Sequence, residues 1–542
     1  MLMTLQRNAL IALLCLAWLL PGLIGHEPWK TEEAYTFGLV HSLLQGGSWV
    51  VPHLAGEPFL AEPPLFHLSA AASAILLSPF LPVHDAARLA AGFYIALTLL
   101  FCGLAGRELH GSRQGAITAL LLLGCFGLVV RSHQLISDVA ALAGFAMAYY
   151  GLALTLRRAL PGGFWLGTGL GLVFMTQGVL EAAIIAIIIA VLPLAFGAWR
   201  NRNFALAVPA ALLAAAPWLA IWPLLLHAQS PQLFSVWLHT GTLARLTETH
   251  GSGVLYYLRI LPWYAWPVWA LALWTLWQQR AGVFGKPALQ LPLAGFLATL
   301  GILGIAGESR ELHALPLLLP LTLLAAPALS MLRRGAANAW YWFSVMGFSF
   351  FIAVAWFYWG ALELGFPSRL HQHLHTIRPG YEFGFRLLPF ILGLAYTAAW
   401  FAVLSRLQRN PERPVIVWAC GITAIWALLA TLFIGWADTA KSYRGMMTDM
   451  TRMLPGSYSC MSSRDLGEAQ RALLRYYTGI ITYREEAPER RRDCELLLVQ
   501  GKPLDESWLP EYWKQIWEGQ RPGDKDERYR LYQHNLEKPK QP

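Results

Sequence analysis

Two adjacent carboxylates, Glu32 and Glu33, stand in the stretch His26-Glu-Pro-Trp-Lys-Thr-Glu-Glu-Ala-Tyr35, just past the first apolar segment. A carboxylate at an apolar boundary is a general-base candidate, because partial desolvation raises its pKa. An ordinary acidic loop contains the same pair, and the two readings stay open on spacing alone. More polar residues follow in Gly47-Ser-Trp-Val-Val-Pro-His-Leu-Ala-Gly-Glu-Pro-Phe59 and in Glu62-Pro-Pro64. Farther along, His371, His373 and His375 alternate. In an extended segment that spacing puts three imidazoles on one face, a metal-clip pattern, although no acid or cysteine stands at ligand spacing. No Gly-rich phosphate loop is present, so nothing in the sequence calls for a nucleotide.

These residues must be held by a membrane protein. Only 13% of the 542 residues are charged, and the mean hydropathy is +0.44. A soluble domain needs more polar surface than that. The apolar residues fall in blocks of about 18–24, the length that crosses roughly 30 Å of hydrocarbon. Thirteen spans are predicted, at about 8–25, 87–106, 113–130, 138–156, 163–176, 178–198, 203–226, 259–278, 288–306, 311–332, 338–360, 385–405 and 414–435. The first lacks a clear small-residue cleavage site and reads as a retained helix.

Lys and Arg accumulate in short cytoplasmic loops, which orients the spans. With the N-terminus inside, every inner loop is basic, from Arg7 through Arg107 and Arg113, Arg157 and Arg158, to Arg333 and Arg334 and the Arg406–Arg413 loop. The outer loops hold Glu32, Glu33, Glu57, Glu62, Asp138, Glu248, Glu308 and Glu311. If Leu65–Phe80 also crossed, every later loop would change sides. That stretch is therefore expected at the outer interface or re-entering. The net charge of +9 sits in the membrane-end loops and gives no reason to expect nucleic acid. The Trp263, Trp266 and Trp269 cluster reads as an interface belt.

An odd number of spans puts the C-terminus outside. From about Ala437 the composition turns polar, and residues 437–542 are expected to form a small extracytoplasmic α/β domain. Ser459–Met461, Cys494–Val499 and Tyr529–Gln533 are strand candidates, and Asp465–Tyr477 has helical spacing. Cys15, Cys102, Cys125 and Cys420 lie in apolar segments and read as inert core thiols. Cys460 and Cys494 lie in the polar tail, where they form either one disulfide or two free thiols.

The stretch after the first span resembles the first outer loop of the lipid-carrier-dependent glycosyltransferases, which include the lipid A aminoarabinose transferases and the protein O-mannosyltransferases. Glu32-Glu33, Gly47-Ser48-Trp49-Val50-Val51-Pro52, Gly56-Glu57-Pro58-Phe59 and Ala61-Glu62-Pro63-Pro64 match that family's loop in order and spacing. The match continues more weakly to about residue 335. It implies an all-α polytopic domain of GT-C type at 1–436, with its catalytic outer loop at 26–86.

It also implies site residues. Glu32 and Asp138 take the catalytic positions. Glu33, Arg88, Arg245, His250, Tyr256 (of the Tyr256-Tyr257 pair) and Arg310 take positions that bind the donor phosphate or substrate. Each has a plainer reading: Arg88 as an interfacial anchor, Asp138 as an acid favoured by the helix dipole, Arg245 and His250 as loop surface, Arg310 as a partner of Glu308 and Glu311. The chain departs from the pattern at Glu32, usually Asp, and at Glu62 and Gln177, where lysines are usual. It departs again at Ala61, usually an acid, and at His313, usually Tyr. A divalent metal is therefore open, with no cofactor assigned.

The expected reaction is an inverting single displacement. A sugar on a polyprenyl phosphate, undecaprenyl by expectation, passes to lipid A, another envelope glycan or a protein in the periplasm. The expected location is the bacterial inner membrane, with the N-terminus cytoplasmic, the C-terminus periplasmic, and membrane lipids around it. The alternative is a scaffold or lipid-binding protein that keeps the fold without transfer. A transporter fits less well, because charges are scarce in mid-span and no paired broken helices stand out.

Overall fold

The computed structural model describes residues 2–239, 253–305, 309–377, 381–382, 384–487, 494–501, 513–522, 524 and 527–534, with side chains from residue 9 onward. The first third of the chain contains α1 (Leu2–Leu19), α2 (Glu32–Leu44), a short hairpin β1 (His53–Leu54) and β2 (Glu57–Pro58), α3 (Leu65–Leu77), α4 (Val83–His110), α5 (Gln114–Leu123), α6 (Phe126–Arg131), α7 (Asp138–Thr155) and α8 (Ala159–Gln177). Then come α9 (Val179–Ala195), α10 (Arg202–Gln229), α11 (Pro231–Val236), α12 (Gly253–Tyr264), α13 (Val268–Gln278), α14 (Pro287–Ile305), α15 (Leu315–Ala325), α16 (Ala328–Met331), α17 (Arg334–Glu363), α18 (Ser368–Ile377), α19 (Leu387–Arg406) and α20 (Arg413–Leu432).

Among the described residues, eight helices are long and apolar enough to cross a membrane: α4, α7, α8, α10, α14, α17, α19 and α20. The other predicted spans are shorter helices or are broken. Stretch 113–130 breaks at Gly124-Cys125, between α5 and α6. Stretch 259–278 breaks before Pro267 and stretch 311–332 before Pro327, where a ring without an N–H stops the helix ladder. Leu65–Phe80 contains α3, whose 13 residues reach about 20 Å and fall short of the hydrocarbon thickness. Its Ser73 hydroxyl donates to the Ala86 carbonyl at 2.6 Å, laying it along the start of α4.

Close packing in the first half depends on small residues, as it must where lipid supplies no hydrophobic drive between helices. A Cβ on Gly151 of α7 would strike the Leu166 backbone of α8, and one on Gly167 of α8 would strike the Ala211 carbonyl of α10. These contacts hold α7, α8 and α10 as one block, so Asp138 at the start of α7 and Gln177 at the end of α8 have fixed places.

After α20 the chain continues through α21 (Ile434–Lys441) and α22 (Arg444–Arg452) into β3 (Met461–Arg464), α23 (Glu468–Thr478), β4 (Thr482–Arg484), β5 (Leu496–Gly501), β6 (Trp513–Gly519) and β7 (Arg528–His534). The strands form one sheet in the order β4-β3-β5-β7-β6. β3 is parallel to β4 and β5, and β7 is antiparallel to β5 and β6. Cys460 and Cys494, just before the neighbouring strands β3 and β5, are joined by a disulfide. The three strand candidates and the helix candidate each lie on or beside an element; β4 and β6 were not foreseen. α23 turns Ala469, Leu473 and Leu474 toward the sheet. Its Ala472 packs with Leu39 and Leu54 of the loop between α1 and α4. The small domain therefore rests on that loop.

The histidine alternation is corrected. His371, His373 and His375 lie on helix α18, not on an extended segment. Two residues apart on a helix is about 200° of rotation, which turns His373 away from His371 and His375 and leaves only that i,i+4 pair on one face. His371 instead pairs its Nδ1 with the Ala361 carbonyl at 3.0 Å.

Candidate active site

The loop between α1 and α4 is tied down by a buried ion network. The Arg88 guanidinium is fully buried. Its Nε donates to Glu33 Oε1 at 2.6 Å and its Nη1 to Asp85 Oδ1 at 2.6 Å. Nη1 and Nη2 also reach the carbonyls of Leu23 and His26, at 3.2 and 3.0 Å. Two carboxylates against one cation would leave an uncompensated charge, so backbone donors matter. Trp29 N and Leu135 N donate to Glu33 at 3.2 and 3.3 Å, and Gly25 N donates to Asp85 at 2.9 Å. Burial pushes the Glu33 carboxyl up, but the Arg88 charge and these hydrogen bonds hold it below the usual range. Glu33 and Arg88 are thus brought together as an internal pair. All three nitrogens of the Arg88 guanidinium face protein partners in this arrangement, and the phosphate-binding roles implied for Glu33 and Arg88 stay a proposal that a variant can test.

A second network lies beside the first. Glu62 accepts from the Tyr35 hydroxyl at 3.0 Å and from the Ser137 hydroxyl at 2.6 Å. Gln177 Nε2 donates to the same Ser137 oxygen at 3.0 Å. Glu62 and Gln177, the two positions where the family pattern has lysine, are therefore joined through one hydroxyl. A lysine at 62 cannot make this chain, since an ammonium cannot accept from Ser137, whereas one at 177 could still donate. His67 Nε2 lies 3.8 Å from Glu62 Oε2 and makes no hydrogen bond.

Asp138 follows Ser137 directly and is half-buried, as is Glu32. The two carboxylates lie close enough for their charges to act on each other, and Glu181 and Arg131 act on Asp138 as well. Arg310 Nη1 stands 3.8 Å from Glu32 Oε1, with about half of its side chain exposed. Arg131 stands 3.8 Å from Glu311 and donates to Gln134 at 3.1 Å. The structure thus gathers Glu32, Asp138 and Arg310 into one accessible patch with Arg131. Such a patch offers carboxylates that can take a proton and guanidinium groups that can hold an oxyanion.

Tyr256 is half-buried on α12, its ring centroid 5.2 Å from that of Tyr257. Arg245 and His250 lie outside the described residues. Among those described, no group of three or more His, Cys, Asp or Glu is placed to hold a metal ion. Ala61 offers no ligand where the family has an acid. The described residues do not fit a metal.

Sequence reasoning missed Asp85, Tyr35, Ser137 and Asp438. Asp85 had a signal, since it lies three residues before Arg88 on one helical face. Asp438 had none. It accepts from Glu27 N at 3.0 Å and from Trp29 Nε1 at 2.8 Å, more than 400 residues away in sequence.

The buried histidines make stability depend on pH. Burial pushes His26 and His67 each down to about 4. An unfolded histidine titrates near 6.5, so folding favours the neutral ring. That contribution is complete above about pH 6.5 and is lost as the pH falls from there toward 4. Each histidine accounts for about 3 kcal/mol over this window. The thermal midpoint of purified protein is expected to drop between pH 7 and 4.5, and His67→Gln to flatten the drop. An unchanged profile in His67→Gln would show that the ring is not buried neutral.

No protein-family model matches the chain. Among curated proteins it is similar to the undecaprenyl phosphate-alpha-4-amino-4-deoxy-L-arabinose arabinosyl transferase of Pseudomonas savastanoi pv. phaseolicola, with 26% identity over 438 residues, 78% of this chain and 76% of that one. The transferase of the same name from Serratia proteamaculans is 27% identical over 323 residues, 57% of each chain. The chain thus spans about three quarters of one relative and little more than half of the other. The crystal structure of ArnT from Cupriavidus metallidurans bound to undecaprenyl phosphate superposes with a TM-score of 0.70 at 16% identity, over 97% of this chain and 98% of that one. The fold is the ArnT-type GT-C fold, as the loop resemblance implied.

Proposed function

We propose that this protein is a glycosyltransferase of the bacterial inner membrane that moves a sugar from undecaprenyl phosphate to an envelope acceptor. The observation that carries the reading is the patch of Glu32, Asp138 and Arg310 within an ArnT-type fold. The similar transferases are named for 4-amino-4-deoxy-L-arabinose carried on undecaprenyl phosphate. An aminopentose is accordingly the proposed sugar and lipid A the proposed acceptor. Residues 1–436 form the transferase unit and 437–542 a periplasmic domain, with the N-terminus in the cytoplasm.

The donor enters laterally, its tail among the helices and its phosphate at the patch. Glu32 takes the proton of the acceptor hydroxyl as that oxygen attacks the anomeric carbon in line. The bond from that carbon to the phosphate oxygen breaks, and the electron pair leaves with the phosphate. Arg310, with Arg131 beside the patch, stabilises the charge that develops there. One displacement inverts the anomeric configuration, in contrast with the two-step retaining route. Asp138 supports the base as the second carboxyl group of the patch.

The second reading is a scaffold without transfer. It is favoured by Glu62 and Gln177 in place of lysines, since a carboxylate repels the donor phosphate. The test is reconstitution of the purified protein in lipid discs with labelled donor and lipid A, together with mass spectrometry of envelope lipids from cells with and without the gene. Transfer of label and a missing sugar mass in the deleted strain are expected. Tight binding of undecaprenyl phosphate with no turnover of any offered donor would establish the scaffold instead.

A further inference from the structure

We infer that Trp29 and Asp438 are positioning residues through which helix α21 sets the place of Glu32. The inference rests on the proposed role of Glu32. Trp29 is held at five points. Its indole N–H donates to Asp438 Oδ1 at 2.8 Å. Its ring centroid lies 4.2 Å from that of His26 on one contact and 4.1 Å from Lys441 Nζ on another. Its backbone N–H donates to Glu33 Oε2 at 3.2 Å, and its carbonyl accepts from Ala34 N at 3.0 Å.

The last two bonds define the first turn of α2. An α-helix leaves its first N–H groups without partners inside the helix, and an unheld start frays. Thr31, the residue before α2, does not cap it through its side chain. Trp29 does this with backbone atoms instead, and Glu32 is the first residue of the turn so fixed. Asp438 then fixes Trp29, and it accepts from Glu27 N at 3.0 Å as well. The nearby contacts reinforce the same join. Arg444 and the Tyr477 hydroxyl both donate to Glu27, at 2.8 and 3.0 Å, and Lys30 pairs with Glu527. The segment just before Glu32 is thus gripped by residues that follow the last long helix. The catalytic carboxylate has one side chain's length of freedom beyond that grip. A displacement of about 1 Å at a reacting group costs on the order of a hundredfold in rate.

The role is geometric, and this separates the variants. Asp438→Ala removes both acceptor bonds, whereas Asp438→Asn keeps an amide oxygen that can accept them. Trp29→Phe keeps an aromatic ring while removing the indole donor and the bulk of the second ring. With reconstituted full-length protein and labelled undecaprenyl-phosphate aminopentose, Asp438→Ala and Trp29→Phe should each lower kcat at least about tenfold, with donor KM within about threefold. Asp438→Asn should restore most of kcat. The double variant Trp29→Phe/Asp438→Ala should lose no more than the worse single change, because both cut the same bond. Amide hydrogen exchange should speed up at Ala34 and Leu135 in Asp438→Ala and stay unchanged in α7 and α8. Wild-type kcat in both single variants while Glu32→Gln is inactive overturns the positioning and leaves the proposed function standing. Additive losses, or equal losses in Asp438→Ala and Asp438→Asn, also overturn it. If the wild-type protein transfers no sugar the proposed function falls, and unchanged exchange at Ala34 then removes the positioning too.

Discussion

Glu32→Gln and Glu32→Ala are expected to reduce sugar transfer by about 10²–10⁴-fold, the usual contribution of a placed general base. Gln keeps the shape and the contact to Arg310 but cannot take a proton, so loss in Gln separates chemistry from packing. Donor binding should survive in both variants, because removing one negative charge near a phosphate does not weaken the phosphate's hold. Glu32→Asp, the residue usual in the similar loops, should keep measurable transfer at a lower rate, since the carboxylate is retained one methylene farther back. The readout is initial rate against donor concentration in lipid discs. Transfer at the wild-type rate by both Gln and Ala would remove Glu32 from the mechanism and leave Asp138 as the acid to test.

The second large effect is on stability. Arg88→Met is expected to destabilise the protein by about 3–5 kcal/mol, because it strands Glu33 and Asp85 as buried anions with no cation between them. The loss should appear as a lower melting midpoint and poor recovery from the membrane. Replacing all three partners together, as Arg88→Met with Glu33→Gln and Asp85→Asn, should recover much of the loss, since no charge is then left buried. The same variant decides between the two roles of Arg88. A protein of wild-type stability with a raised donor KM would restore the phosphate-binding role implied by the loop resemblance. A destabilised protein supports the internal pair that the 2.6 Å contacts describe.

The long helices were legible because apolar runs of spanning length have few other uses, and each predicted stretch is helical. The exclusion of Leu65–Phe80 came from charge bookkeeping along the whole chain, and the short α3 agrees with it. Breaks at Gly124-Cys125 and before Pro267 and Pro327 were not drawn, since hydropathy averages over the residues that interrupt a helix. The histidine alternation went wrong on period. Spacing of two has one meaning on a strand and another on a helix, and nothing local said which applied. For the site, Glu32, Asp138 and Arg310 were found by motif and do come together. Arg88 and Glu33 were found too, but their mutual ion pair was not, because a motif marks a position without showing what it touches. Ser137 carries no signal of its own in the sequence, yet it links the two substituted positions. Strand β6, with its polar Lys514, Gln515 and Glu518, lacks the apolar signal of a buried strand.

The join between Trp29 and Asp438 has a consequence for biosynthesis. The two residues are 409 positions apart, and a ribosome adding about 5–20 residues per second needs about 20–80 s to make the second after the first. During that interval the early loop has left the ribosome while the residues that grip it do not yet exist. The loop therefore cannot reach its final arrangement until the last part of the chain has been made. A truncated product that stops after α20 would carry Glu32, Asp138 and Arg310 and still lack the means to set Glu32. Completion of the chain itself then acts as the checkpoint, and fragments left by interrupted translation would stay idle in the membrane.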